Sequence, residues 1–144
     1  TLRSARSTMH QIELPGAWTS LPALSAFVDE VERALPLSDA QRYVLRLVVE
    51  EIVTNIIKYG YDDARRDVIR VACSYDDRTL TLRIADRGRP YDPRAHPAPP
   101  LPDGAAEREP GGLGIFFVRE YADQLSYRHD PLSGWNELVV TRGP

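Results

Sequence analysis

The stretch Ser38-Asp-Ala-Gln41-Arg-Tyr-Val44-Leu-Arg46-Leu47-Val48-Val-Glu50-Glu51-Ile-Val-Thr-Asn55-Ile-Ile-Lys58-Tyr59-Gly60 decides how this chain is read. Ser38-Asp39-Ala40-Gln41 has the form of a capping box, in which the N-cap hydroxyl and the Gln side chain each satisfy the other's backbone amide. It predicts a helix running to about Tyr59, with Gly60 suited to its C-terminal cap. At about 100° per residue, Glu51, Asn55 and Lys58 fall within roughly 60° of one another and share a stripe with Val44, Leu47 and Val48. Glu50 points roughly 100° away, beside Arg46, and is expected to be its surface partner. A carboxylate and an amide one turn apart on a partly buried stripe need partners. Nearby backbone is one source of them; a ligand is the other.

The flanking sequence supplies the sheet. Thr8 to Leu14 reads as a strand ended by Pro15-Gly16. Leu21 to Leu35 has apolar residues at Leu24, Phe27, Val28, Val31 and Leu35, a helical spacing ended by Pro36. Ile69, Val71, Cys73 and Tyr75 alternate with polar or small residues, as do Leu80, Leu82 and Ile84, around an Asp76-Asp77-Arg78 turn. Gly111-Gly112-Leu113-Gly114 leads into a short apolar helix, Ile115 to Ala122. Leu125–His129 and Trp135–Thr141 close the chain as a hairpin around Asp130–Gly134. The order predicts an α+β two-layer sandwich: a mixed, mainly antiparallel sheet with helices on one face. Trp18, Phe27 and Trp135 are expected in the core.

Polarity is out of place twice more. Asp86 has the strand parity of Leu80, Leu82 and Ile84 and so continues the core-facing row, either as a turn residue leaving the strand or as a buried acceptor awaiting a donor. Gly88, two residues on, makes a turn or lets a flat ligand approach the backbone. Gly112-x-Gly114 opens a helix, where free N–H groups and the helix dipole favour an anion; a hinge explains it equally well. Between these, seven of the 12 prolines fall in Pro90–Pro110. Such a stretch is neither helix nor inner strand, and a loop of this length is a lid or a linker.

Composition sets limits. The 144 residues suit one domain, expected over 8–144 with 1–7 as a tail. A net charge of −3 argues against direct nucleic-acid binding. The single cysteine forms no internal disulfide and fits a reducing cytoplasm. No apolar run spans a bilayer, and the polar, basic start lacks a signal-peptide core, so no membrane partner is expected.

The three polar places in this order resemble the ATP-binding fold of the GHKL superfamily (gyrase, Hsp-type chaperones, MutL, histidine kinases). More narrowly they resemble the small anti-sigma-factor serine/threonine kinases of bacterial partner-switching systems. Val49-Glu50-Glu51-Ile52-Val53-Thr54-Asn55 is similar to that family's N box. Asp86-Arg87-Gly88-Arg89-Pro90-Tyr91-Asp92-Pro93 is similar to its first glycine box, and Gly111-Gly112-Leu113-Gly114-Ile115 to its second. The resemblance implies ATP and Mg2+ as cofactors. Asn55 would coordinate Mg2+, and Glu51 would be the general base. Asp86 would accept from the adenine amino group, with Gly88 flanking the ring. Gly112, Leu113 and Gly114 would meet the phosphates, and residues 93–110 would form the ATP lid, with Arg108 reaching the γ-phosphate. It further implies phosphorylation of an anti-sigma antagonist on serine, sequestration of a sigma factor or similar regulator, and a homodimer built on the N-terminal strand and first helix. A non-catalytic, nucleotide-gated interaction module of the same fold is the alternative.

Overall fold

The structure, a computed structural model, describes residues 8–62, 66–95 and 112–144. The expected tail, Arg108 and all of the expected lid beyond 93–95 lie outside the described residues.

The capping box forms as read. Ser38 Oγ accepts from the Gln41 amide at 3.1 Å, and Gln41 Oε1 accepts from the Ser38 amide at 3.0 Å. Gln41 is also fully buried, and its Nε2 donates to the carbonyls of Arg78 at 2.8 Å and Arg142 at 3.0 Å. One side chain thus starts helix α2 (Asp39–Asn55) and ties it to a hairpin turn and to the last strand. Each such bond is worth about 1 kcal/mol net, and more is lost if its buried partner is left unpaired. Helix α1 (Leu21–Ala34) buries Leu24, Phe27, Val28 and Val31, the predicted stripe.

Five strands make one sheet: β1 (Thr8–Pro15), β2 (Val68–Asp76), β3 (Thr79–Asp86), β4 (Gln124–His129) and β5 (Asn136–Arg142), in the order β1-β2-β3-β5-β4. All four pairings are antiparallel. The β2–β3 turn places Asp77 and Arg78 at φ of 48° and 64°, as a two-residue type I′ connection requires. Ile69, Val71, Cys73, Leu80, Leu82, Ile84, Leu138 and Val140 form the inner face and merge with the helices into one core. Helix α3 (Gly112–Tyr121) adds Ile115 and Val118 to it. The result is the two-layer α+β sandwich with helices on one face. Among the described residues no helix is long and apolar enough to cross a membrane.

Five expectations are corrected by packing. The second helix does not continue as α-helix to Tyr59: Ile56–Gly60 is a π-helical turn, closed by the Tyr61 amide donating to the Ile56 carbonyl at 3.3 Å. The wider turn brings the Gly60 carbonyl to the Arg89 amide at 2.9 Å and breaks the helical stripe. Lys58 is therefore exposed, its Nζ 5.1 Å from the Tyr59 ring centre, and not in line with Glu51 and Asn55. Arg46 pairs across to Asp29 and Glu32 of α1, each at 2.8 Å, rather than with Glu50, because two carboxylates three residues apart match the guanidinium fork. Trp18 is 50% exposed, unlike buried Phe27. Trp135 lies against the guanidinium carbons of Arg70 (4.3 Å) and Arg87 (4.7 Å), cation–π contacts outside the apolar core.

Candidate functional site

The strand register lines up one row of inward side chains across the whole sheet: Leu14, Ile69, Asp86, Asn136, His129. It begins apolar on β1 and turns polar at β3. The neighbouring row, Ile12, Val71, Ile84, Leu138, Tyr127, stays apolar until its last member. Asp86 is 6% and Asn136 3% exposed. A carboxylate this buried is costly unless hydrogen-bonded. Asp86 Oδ2 accepts from the Gly88 amide at 2.8 Å and from Asn136 Nδ2 at 3.3 Å. Oδ1 has no partner among the described residues. Burial pushes the Asp86 carboxyl above its ordinary value, while the Gly88 amide, Asn136 and the His129 charge pull it partly back.

The chain leaving β3 is held at every available amide. Arg87 N donates to the Tyr61 hydroxyl at 2.9 Å, Gly88 N to Asp86, Arg89 N to the Gly60 carbonyl at 2.9 Å, and Tyr91 N to the Tyr127 hydroxyl at 3.0 Å; Pro90 has none to give. The Gly88 carbonyl accepts from Asn136 Nδ2 at 2.9 Å. Position 88 must be glycine, because a Cβ there would sit 2.6 Å from the Gly60 carbonyl oxygen and 2.9 Å from Asp86 Oδ2. Tyr61, buried, also donates to the Val68 carbonyl at 2.9 Å, and burial pushes its hydroxyl up to about 12. A cavity of about 250 Å³ opens at the Gly60–Gly88 seam, lined by Gly60, Tyr61, Asp62, Arg87, Gly88 and Arg89.

Toward the C-terminal end of α2, Glu51 and Asn55 are half-buried, and neither side chain is hydrogen-bonded among the described residues. Nearby backbone is therefore not their partner. Gly112 and Leu113 form the start of α3, and Gly114 lies directly on Glu51: a Cβ built on Gly114 would overlap the Glu51 carboxyl group. Burial, and secondly the Glu50 charge, pushes the Glu51 carboxyl above its ordinary value, toward the range useful in a general base. Glu51 and Asn55 lie one turn apart at the end of α2, roughly 6 Å along its axis, and Gly60 closes the π-helical turn that follows. So the last turns of α2 meet the second glycine segment at Glu51, and the π-helical turn that follows meets the Asp86–Gly88 loop at Gly60. Among the described residues no cluster of three or more His, Cys, Asp or Glu could hold a metal ion by itself. Asn55 offers one hard oxygen ligand, which fits Mg2+ shared with substrate phosphates and water rather than caged by protein.

Residues 14–141 match the family described as the histidine kinase-like ATPase domain. The chain belongs to that family. Within it, the serine/threonine-protein kinase BtrW of Bordetella bronchiseptica is 32% identical over 100 residues, 69% of each chain. The anti-sigma F factor of Shouchella clausii is 24% identical over 116 residues, covering 81% of this chain and 77% of that one. That of Pasteuria penetrans is 27% identical over 114 residues, covering 78% and 73%. ATP is the ligand class that the family implies.

Sequence reading missed Asn136, Tyr127, His129 and Tyr61. Asn136 has the parity of Leu138 and Val140, the signal that singled out Asp86 on β3.

Because folding raises the Asp86 pKa, the folded state keeps that proton to higher pH than the unfolded chain, and ionisation opposes folding. The penalty is absent below the ordinary value of 3.8 and complete above the folded value. Asp86→Asn, which keeps an oxygen for Gly88 and Asn136, is expected to raise the melting temperature at about pH 7.5 and to lose that advantage near about pH 4. Circular-dichroism melts across that range check it; an equal loss of stability at both ends contradicts it.

Proposed function

We propose that the chain is an ATP-dependent serine protein kinase and anti-sigma-type regulator of a bacterial partner-switching system, acting in the cytoplasm. The observation that carries the reading is the pair Glu51 and Asn55, half-buried with no hydrogen-bond partner among the described residues, with Gly114 lying against Glu51. The π-helical turn after that helix ends against a pinned loop whose buried carboxylate has one oxygen without a partner among the described residues. The family membership and the kinase and anti-sigma relatives support the same reading.

In this account Asp86 Oδ1 accepts from the adenine amino group, and Gly88 lets the ring lie against the backbone. The free amides of Gly112, Leu113 and Gly114 and the α3 dipole meet the phosphates. Asn55 holds Mg2+, which when bound neutralises phosphate charge. Glu51 orients the hydroxyl of an incoming serine and takes its proton as the serine oxygen bonds to the γ-phosphorus and the β,γ-bridging oxygen leaves with ADP. The phosphoacceptor is an anti-sigma antagonist, and the sequestered partner is a sigma factor or similar regulator.

The test is transfer of labelled γ-phosphate from ATP to a candidate antagonist. Glu51→Gln is expected to slow transfer by about 100-fold or more while changing ATP affinity only slightly. Transfer at the wild-type rate by that variant contradicts the role given to Glu51. A wild-type protein that holds its partner only with nucleotide yet never moves phosphate is instead a non-catalytic switch.

We also propose a homodimer through β1 and α1. β1 is an edge strand with an unpaired side, and Met9 and Trp18 beside it are 55% and 50% exposed. Sedimentation at micromolar concentration is expected to give twice 16.2 kDa; a monomer contradicts it.

A further inference from the structure

Glu51 carries its carboxyl group at the end of a flexible side chain, and no hydrogen bond among the described residues steers it. Thr54, one turn on, donates its hydroxyl to the Glu50 carbonyl at 2.6 Å and the Glu51 carbonyl at 3.3 Å, so it holds backbone and leaves the carboxyl alone. What bounds the carboxyl is the backbone of α3. A Cβ on Gly114 would overlap the Glu51 carboxyl group and lie 2.6 Å from Glu51 Cγ, closer than real contacts come. The space a side chain at position 114 would take is the space the carboxyl fills.

Neither helix moves apart to make more room without uncovering core. α3 runs antiparallel to α2. Gly114 meets Glu51, and about two turns further along each helix Tyr121 meets Tyr43, edge to face with ring centres 5.1 Å apart. Phe117 braces Tyr121 at 6.0 Å. Val48, Val49 and Ile52 of α2 and Ile115 and Val118 of α3 are buried in the same core. The far end of α3 is tied to the last strand. Arg142 Nη1 donates to the Tyr121 carbonyl at 2.9 Å, the Asp123 amide to the Thr141 carbonyl at 2.8 Å, and the Gly143 amide to Asp123 Oδ2 at 2.6 Å. A Cβ at position 114 thus meets two anchored helices and one mobile carboxyl group, and the carboxyl group is the part that yields.

We propose that Gly114 is a positioning residue for Glu51: the missing side chain gives the carboxyl group its seat against α3, and any side chain there turns it out of the site. The glycine is a requirement of that carboxylate rather than of the phosphates. Phosphates would meet only the backbone amide of residue 114, and alanine supplies the same amide. A misplacement of about 1 Å in a reacting group can cost on the order of 100-fold in rate, so the seat matters to chemistry while the fold barely registers it. The catalytic consequence rests on reading Glu51 as the general base, and the experiment separates the two claims.

The Glu51 carboxyl carbon is followed through a pH titration by nuclear magnetic resonance in the carbon-13-labelled wild type and in Gly114→Ala. The wild-type group is expected to titrate above its ordinary value of 4.5, where burial holds it. In Gly114→Ala it is expected to fall back toward that value as the carboxyl turns into water. The melting temperature of the variant is expected to hold or rise, because alanine favours helix over glycine. An unchanged titration in the folded variant overturns the seat, since α3 has then given way instead. If Gly114→Ala does not fold, the double variant Glu51→Ala with Gly114→Ala decides. Melting where Glu51→Ala alone melts supports the seat; failure to fold overturns it. In the phosphate-transfer assay Gly114→Ala is expected to be roughly 10- to 100-fold slower than the wild type, and to add no further loss to Glu51→Gln. A further loss in that background would mean that position 114 acts on the phosphates, and overturns the proposal. A shifted titration with transfer at the wild-type rate leaves the seat standing and removes Glu51 from the role of base.

Discussion

A carboxylate at the inner end of β3, with almost no access to water, is the constraint around which the rest of the molecule is arranged. Asp86 sits where the hydrophobic row of β3 would otherwise have ended in another aliphatic residue. Its neighbours answer that placement one by one. Gly88 turns its amide back onto Oδ2, Asn136 fills the facing position on β5, and His129 and Tyr127 hold Asn136 from β4. One oxygen of the buried carboxylate is met by two donors and the other by none among the described residues, the acceptor that the proposed function gives to a ligand. A purely structural carboxylate gains nothing from an unused acceptor.

The loop that follows is rigid for the same reason. Four of its backbone amides are bonded to groups on three separate elements, and Tyr61 and Gly60 belong to the end of the long helix. The π-helical turn is what lets that end reach the loop, and π-turns concentrate at functional sites because their extra residue re-aims the backbone. The helix starts in a capping box riveted by Gln41, meets Gly114 at Glu51 in its last turns, and passes into a π-helical turn that ends against Gly88.

Much of this was legible from local pattern. The box Ser38–Gln41, the alternation of Ile69–Tyr75 and Leu80–Ile84 and the stripe of α1 are properties of neighbouring residues, and each formed as read. The anomaly of Asp86 was visible because one polar residue continued an apolar row. What escaped depends on which elements lie side by side. Arg46 found its acids on α1, and Trp135 found its guanidinium groups on β2 and beyond β3. A wheel at constant pitch misplaced Lys58 because it cannot foresee a change of helix type. Asn136 obeyed the same parity rule as Asp86, but its significance appears only once β5 is known to pair with β3.

The account stands on the claim that Asp86, Gly88, Asn136, Glu51 and Asn55 surround one nucleotide. Titration of the isotopically labelled protein with Mg2+ and a non-hydrolysable ATP analogue, followed by nuclear magnetic resonance, tests it most directly. The account predicts that the Gly88 and Gly114 backbone amides and the side-chain amides of Asn55 and Asn136 shift together along one binding curve. Shifts confined to other parts of the molecule, with these four unmoved at saturation, would contradict it.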